Sequence, residues 1–130
     1  MALYLGNEKI AGNITEKKKM EVLWTGSFSP TTLNTYASMT ISKNVYDYDF
    51  LLIDVSTANS KVDRTTVVLV IDGKGIECGV RGNLFYLLES YRASFGIYTD
   101  GYNTIYMKVQ EATNYTPSQV MINRIIGVKI

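Results

Sequence analysis

From Glu21 to its last residue the chain consists of short runs of Val, Ile, Tyr, Thr and Phe, cut apart every few residues by Gly, Asn, Asp and Ser. Side chains of the first kind suit a pleated, half-buried surface, and those of the second suit turns. Many short strands, frequent turns and almost no helical periodicity point to an antiparallel sandwich. Strands are predicted over residues 21–25, 38–42, 50–55, 65–71, 77–80, 92–98, 104–109 and 121–130. Loops or turns are predicted at Gly26-Ser-Phe-Ser-Pro30, Asp72-Gly-Lys-Gly75 and Asp100-Gly101. The expected fold is an all-β antiparallel sandwich, jelly-roll-like, with a short N-terminal hairpin or arm.

Two of these segments carry more information than the rest. The run Phe50-Leu-Leu-Ile-Asp-Val55 is nearly all apolar, which predicts a central strand covered on both faces. The final stretch holds Ile122, Ile125, Ile126, Val128 and Ile130, too much apolar surface for the frayed end common at chain termini. It is expected to be pinned into a sheet or into a subunit contact. Residues 84–91 admit two readings. Leu84, Leu87, Leu88 and Tyr91 fall at helical spacing with Asn83 as a cap, yet the same residues form an apolar strand. Strand is favoured, because every neighbouring segment is strand.

Two regions follow. Residues 1–19 form an arm and linker: Leu3-Tyr-Leu5 and Lys9-Ile-Ala11 are too short to bury a core, and Asn13 to Lys19 is polar. Residues 20–130 form the sandwich. A net charge of +1 lacks the basic excess of a nucleic-acid binder, and Lys17-Lys-Lys19, flanked by Glu16 and Glu21, reads as a solvated linker. No apolar stretch approaches the roughly 18 residues of a membrane span, and Met1-Ala-Leu-Tyr-Leu5 breaks at Gly6 too early for a signal peptide. The single cysteine, Cys78, rules out an internal disulfide and fits a chain made in a reducing cytoplasm.

Catalytic chemistry has little to work with. The absence of histidine removes the commonest general base and the commonest metal ligand. Gly73-Lys-Gly75 lacks the Lys-Ser/Thr pair of a phosphate-binding loop. Asp47 and Asp49 would share a strand face, and two carboxylates suffice for glycoside hydrolysis, but they fit the loop before residue 50 better and supply too few oxygens for calcium. The expectation is no enzyme activity, no cofactor and no metal. Ten tyrosines remain, several near turns: Tyr98, Tyr102 and Tyr115, with Asp100 among them, are the candidate ligand-binding residues. Rings cover an apolar ligand face while adjacent polar groups fix its orientation.

Three segments in order resemble bacteriophage tail-fibre and receptor-binding proteins. Val22-Leu-Trp-Thr-Gly-Ser27 is similar to their Leu-Trp/Tyr-Ser/Thr-Gly-Ser opening, Asn44-Val-Tyr-Asp-Tyr-Asp-Phe-Leu-Leu-Ile53 to their Asn-Tyr-Asp-Phe-Leu strand entry, and Ile122-Asn-Arg-Ile-Ile-Gly-Val-Lys129 to their terminal Ile-Thr-Lys-Ile-Ile-Gly-Ile-Lys. Arg124 stands where that pattern often has Lys. Ala2-Leu-Tyr-Leu-Gly-Asn-Glu-Lys-Ile-Ala-Gly12 resembles the adaptor repeats at the starts of phage tail proteins. The resemblance implies a β-sandwich tip module, a homotrimer that binds a host-surface saccharide or protein. It further implies a place in the virion tail after synthesis in the bacterial cytoplasm, with other virion proteins contacted through the arm. The competing expectation is a purely structural virion or baseplate protein with no ligand.

Overall fold

The structure, a computed structural model, describes residues 19–57, 64–72, 78–86, 91–100 and 102–130. The expected arm, the glycines of the Asp72–Gly75 turn and Leu87 and Leu88 lie outside these residues. Eight strands run in order: β1 (Met20–Phe28), β2 (Ala37–Thr40), β3 (Phe50–Thr57), β4 (Thr65–Val70), β5 (Cys78–Tyr86), β6 (Tyr91–Thr99), β7 (Thr104–Thr113) and β8 (Val120–Val128). They form two four-stranded antiparallel sheets, β1-β8-β3-β4 and β2-β7-β6-β5. The chain is an all-β sandwich, as its strand pattern requires.

The wrap is jelly-roll-like at its two ends, where β1 and β2 fall in different sheets, as do β7 and β8, and β8 enters between β1 and β3. Its middle is simpler, with β3–β4 and β5–β6–β7 pairing in sequence order. Alternate residues of each strand face inward. Leu51, Ile53 and Val55 of β3 meet Phe95 and Ile97 of β6, Ile105, Met107 and Val109 of β7, and Ile122 and Ile125 of β8, all essentially inaccessible to solvent. Each such side chain contributes about 1.5–3 kcal/mol through its removal from water. Among the described residues no helix is long and apolar enough to cross a membrane.

Three local expectations change. β1 continues through Gly26 and Ser27 to Phe28, because irregularities between Val22 and Trp24 and between Thr25 and Phe28 keep it paired with β8 where turn-type residues pointed to a loop. β5 does not end at Val80 but runs unbroken from Cys78 to Tyr86, and residues 84–86 take the strand reading favoured for them: Leu84 lies opposite Ala93, and Tyr86 opposite Tyr91. β3 is central, between β8 and β4, but only one of its faces is buried.

The closing strand is held on both sides, by β1 and by β3. Asp49 extends the hold past the strand. Its N–H donates to the Val128 carbonyl at 2.8 Å, its own carbonyl accepts from Ile71 at 2.9 Å, and its carboxylate accepts the Ile130 N–H at 2.6 Å. Val22–Ser27, the end of Asn44–Ile53 and Ile122–Lys129, far apart in sequence, thus become three adjacent strands. Arg124 sits opposite Asp54 and donates from both Nε and Nη2 to Asp54 Oδ2 at 2.9 Å, while the Thr66 hydroxyl donates to Oδ1 at 2.6 Å.

Candidate functional site

β6 ends at Thr99 and β7 begins at Thr104, and their antiparallel pairing places Tyr98 directly opposite Tyr106. Antiparallel pairing then carries one row of outward side chains across the sheet: Ser38 on β2, Tyr106, Tyr98 and Gly79 on β5. In the next row Lys108, Gly96 and Arg81 lie side by side, with Tyr36, just before β2, level with Lys108. Directly opposed residues point to the same face, so the two rows make one surface.

On that surface the rings gather. Tyr98 and Tyr106 stack nearly parallel, 11° apart with centroids at 4.6 Å, and Tyr36 meets Tyr98 edge-on at 4.8 Å. Lys108 Nζ lies 4.7 Å from the Tyr36 ring centroid, a cation over an aromatic face. The Tyr106 hydroxyl donates to Asp100 Oδ2 at 3.4 Å. Partial burial in the stack, followed by the charge and hydrogen bond of Asp100, holds the Tyr106 phenol above its ordinary range.

Glycines open the floor. A side chain at Gly96 would point towards the Tyr36 hydroxyl; without one, a trough of about 420 Å³ opens between the aromatic wall and Arg81. Its lining is Tyr36, Gly79, Val80, Arg81, Gly96, Ile97 and Tyr98. That volume lies within the range of small-molecule sites, about 300–1,000 Å³. A second depression of about 220 Å³ continues along β5 and β6, between Asn83, Ser94, Arg92 and Glu111. The arrangement offers a flat apolar wall, a backbone floor and a guanidinium with five fixed donors. These are tools for binding, and the trough's lining supplies no paired carboxylates.

The four residues singled out from sequence do not form one cluster. Tyr98 and Asp100 belong to this surface. Tyr102 stands 70% exposed between β6 and β7, its ring edge-on to Tyr46 at 6.1 Å. Its backbone has a separate task. With φ at 55°, unusual for so bulky a residue, its carbonyl accepts the Val45 N–H at 2.6 Å, and the next carbonyl, of Asn103, accepts from Ile41. Tyr115 is 8% exposed and packs edge-on to Tyr91 at 5.3 Å, at the opposite end of the β6–β7 ladder, where Arg92 faces Thr113. Roughly six residues of strand, about 20 Å, separate that end from Tyr98. Tyr115 is therefore core, with the Thr57 hydroxyl donating to its Oη at 3.4 Å.

Tyr36, Tyr106, Arg81 and the two floor glycines had no marker in the sequence beyond one. A turn centred on residue 102 pairs positions 98 and 106, so the Tyr98–Tyr106 stack follows once that hairpin is accepted. The acid pair considered for catalysis is divided: Asp47 lies in a single 3-10 turn, Val45–Asp47, and Asp49 is engaged by the chain end. No family model matches the chain, and no curated protein matches it.

Proposed function

We propose that the protein is a bacteriophage virion component, a tail-fibre-like tip module that attaches the particle to a saccharide on the host surface. In this reading it works as a homo-oligomer and joins other virion proteins through its N-terminal residues. The observation that carries the ligand assignment is the trough beside the Tyr36–Tyr98–Tyr106 cluster. A sugar ring presents an apolar face that an exposed aromatic edge or face covers, and hydroxyls that a guanidinium and a backbone floor orient. Support for the phage setting comes from the three resembling segments, which occupy neighbouring strands of one sheet.

The test is binding of the purified protein to a glycan array and to host cells, alongside competition with adsorption of the phage. Tyr98→Ala and Arg81→Ala, each with its melting temperature retained, are expected to weaken binding about tenfold or more, the loss of roughly 1.4 kcal/mol of contact. Tyr102→Ala is expected to leave it within a factor of two or so. Unchanged binding in both trough variants would overturn the assignment.

A further inference from the structure

An antiparallel sheet with one face in water alternates apolar-in and polar-out along each strand. The sheet β1-β8-β3-β4 breaks this rule over half its length. Met20, Val128, Phe50 and Val70 lie opposite one another across all four strands, and so do Val22, Ile126, Leu52 and Val68. Their partners on the inward face, such as Leu51 and Leu69, are the buried ones, so both rows point away from the core. Met20, Val22, Val68 and Val70 are 47–60% exposed, and the four between them are half-buried. This is why β3 has the composition of a strand covered twice, and why β8 carries Ile126 and Val128 on the face that the core does not use.

We infer that this face is where copies of the chain meet. The inference rests on the oligomeric part of the reading above and names its surface. Four strands spaced about 4.8 Å apart, with two rows each advancing about 6.8 Å, make a grid of roughly 250 Å². A stable interface needs about 800 Å² per partner, so the grid is the apolar centre of a contact and not the whole of it. The next outward row supplies a rim: Thr25, Arg124, Asp54 and Thr66. There Arg124 and Asp54 neutralise each other at 2.9 Å, and the grid itself carries no charge. Two identical faces of this kind do not repel, which is the condition a self-complementary surface has to meet. A charged partner would find nothing on the grid to pair with. The occupant is therefore a second copy of this chain, packed sheet to sheet about a twofold axis. The trough lies on the other sheet and stays open.

Sedimentation equilibrium of the full chain tests this. The wild type is expected to be oligomeric. Val22→Lys with Val68→Lys, on edge strands that tolerate lysine, is expected to raise the dissociation constant at least tenfold and leave a folded monomer by circular dichroism. Val22→Thr with Val68→Thr, close in shape and strand preference, is expected to shift it in the same direction by less. An oligomer indifferent to both pairs would overturn the surface while leaving the oligomeric reading in place. A wild type that is monomeric at every concentration would overturn both. A monomer that associates only when residues 1–18 are deleted would show that the chain's own N-terminal residues cover the face, and would also overturn the inference.

Discussion

Tyr48 lies flat against the backbone of Gly127. A Cβ added to that glycine would sit 2.6 Å from Tyr48 Cδ1 and 2.7 Å from Cε1, closer than any real contact. The ring is fixed from its far end, where its hydroxyl donates to Glu21 Oε1 at 2.9 Å, and Lys43 Nζ lies 3.3 Å from the other Glu21 oxygen. The glycine inside the terminal strand is thus a seat for an aromatic ring from the loop before β3.

Gly127→Ala is expected to destabilise the fold by about 1–3 kcal/mol, because the ring can leave its seat only by breaking the Glu21 bond. Urea denaturation measures the effect. In a Tyr48→Ala background the same substitution should cost much less, since the added methyl group then meets open space. An equal penalty in both backgrounds would disconnect the two residues.

The same contact makes stability depend on alkaline pH. Partial burial, then the hydrogen bond and charge of Glu21, push the Tyr48 phenol up to about 12 from an ordinary 10. The folded-state value is raised, so the contribution is complete below pH 10 and is lost as pH rises through 10 towards 12, where the unfolded chain has released a proton the native one retains. Tyr48→Phe is expected to flatten the fall in denaturation midpoint across this window. A fall of unchanged steepness would assign it to other groups.

Truncation after Asn123 is expected to abolish cooperative unfolding. It removes half of a strand paired on both sides, the fully buried Ile125, and the N–H of Ile130 that Asp49 holds. Removing Ile130 alone should cost about 1 kcal/mol, the scale of one charge-assisted hydrogen bond at an exposed site. A truncated chain with a native melting curve would contradict the central placement of β8.

Tyr115→Ala is expected to lower stability by about 2–4 kcal/mol, as removal of a buried aromatic does, with glycan affinity unchanged in the folded fraction. Tyr98→Ala should do the reverse. Thermal melts and binding isotherms on the same preparations separate the two effects. A Tyr115 variant that melts normally and loses binding would return that residue to the site.

Much of the sandwich was legible because strand period and turn chemistry are local. Ile122, Ile125 and Val128 announced a strand that had to be pinned, and β6 and β7 followed from the turn between them. The places that misled were those where pairing overrides local preference. Gly26 and Ser27 look like a loop but are carried within a strand by the pairing of Thr25 with Arg124 and of Phe28 with Ile122, 94 or more residues away. Leu84 also fits a helix by spacing, but the strand reading favoured for it holds, and it faces Ala93 across a ladder. The candidate site was half legible for the same reason. Tyr98 and Asp100 stand next to a recognisable turn. Tyr36, Arg81 and Gly96 meet only because β2 and β5 flank the β6–β7 hairpin on its two sides. Turn proximity, the signal that pointed to Tyr115, does not report burial.

By itself, the sequence determined that the fold is all-β, where most strands lie, and that the catalytic apparatus of histidine chemistry is missing, since composition and a two-residue period suffice for these. Only the tertiary structure decided which strands are neighbours. That choice set which rings share a face, which glycine receives Tyr48, and which apolar residues of β3 and β8 remain outside the core. Alternation tells a residue that it has two faces to choose between. What lies against each face depends on long-range register, which is selected by the packing of the whole core at once.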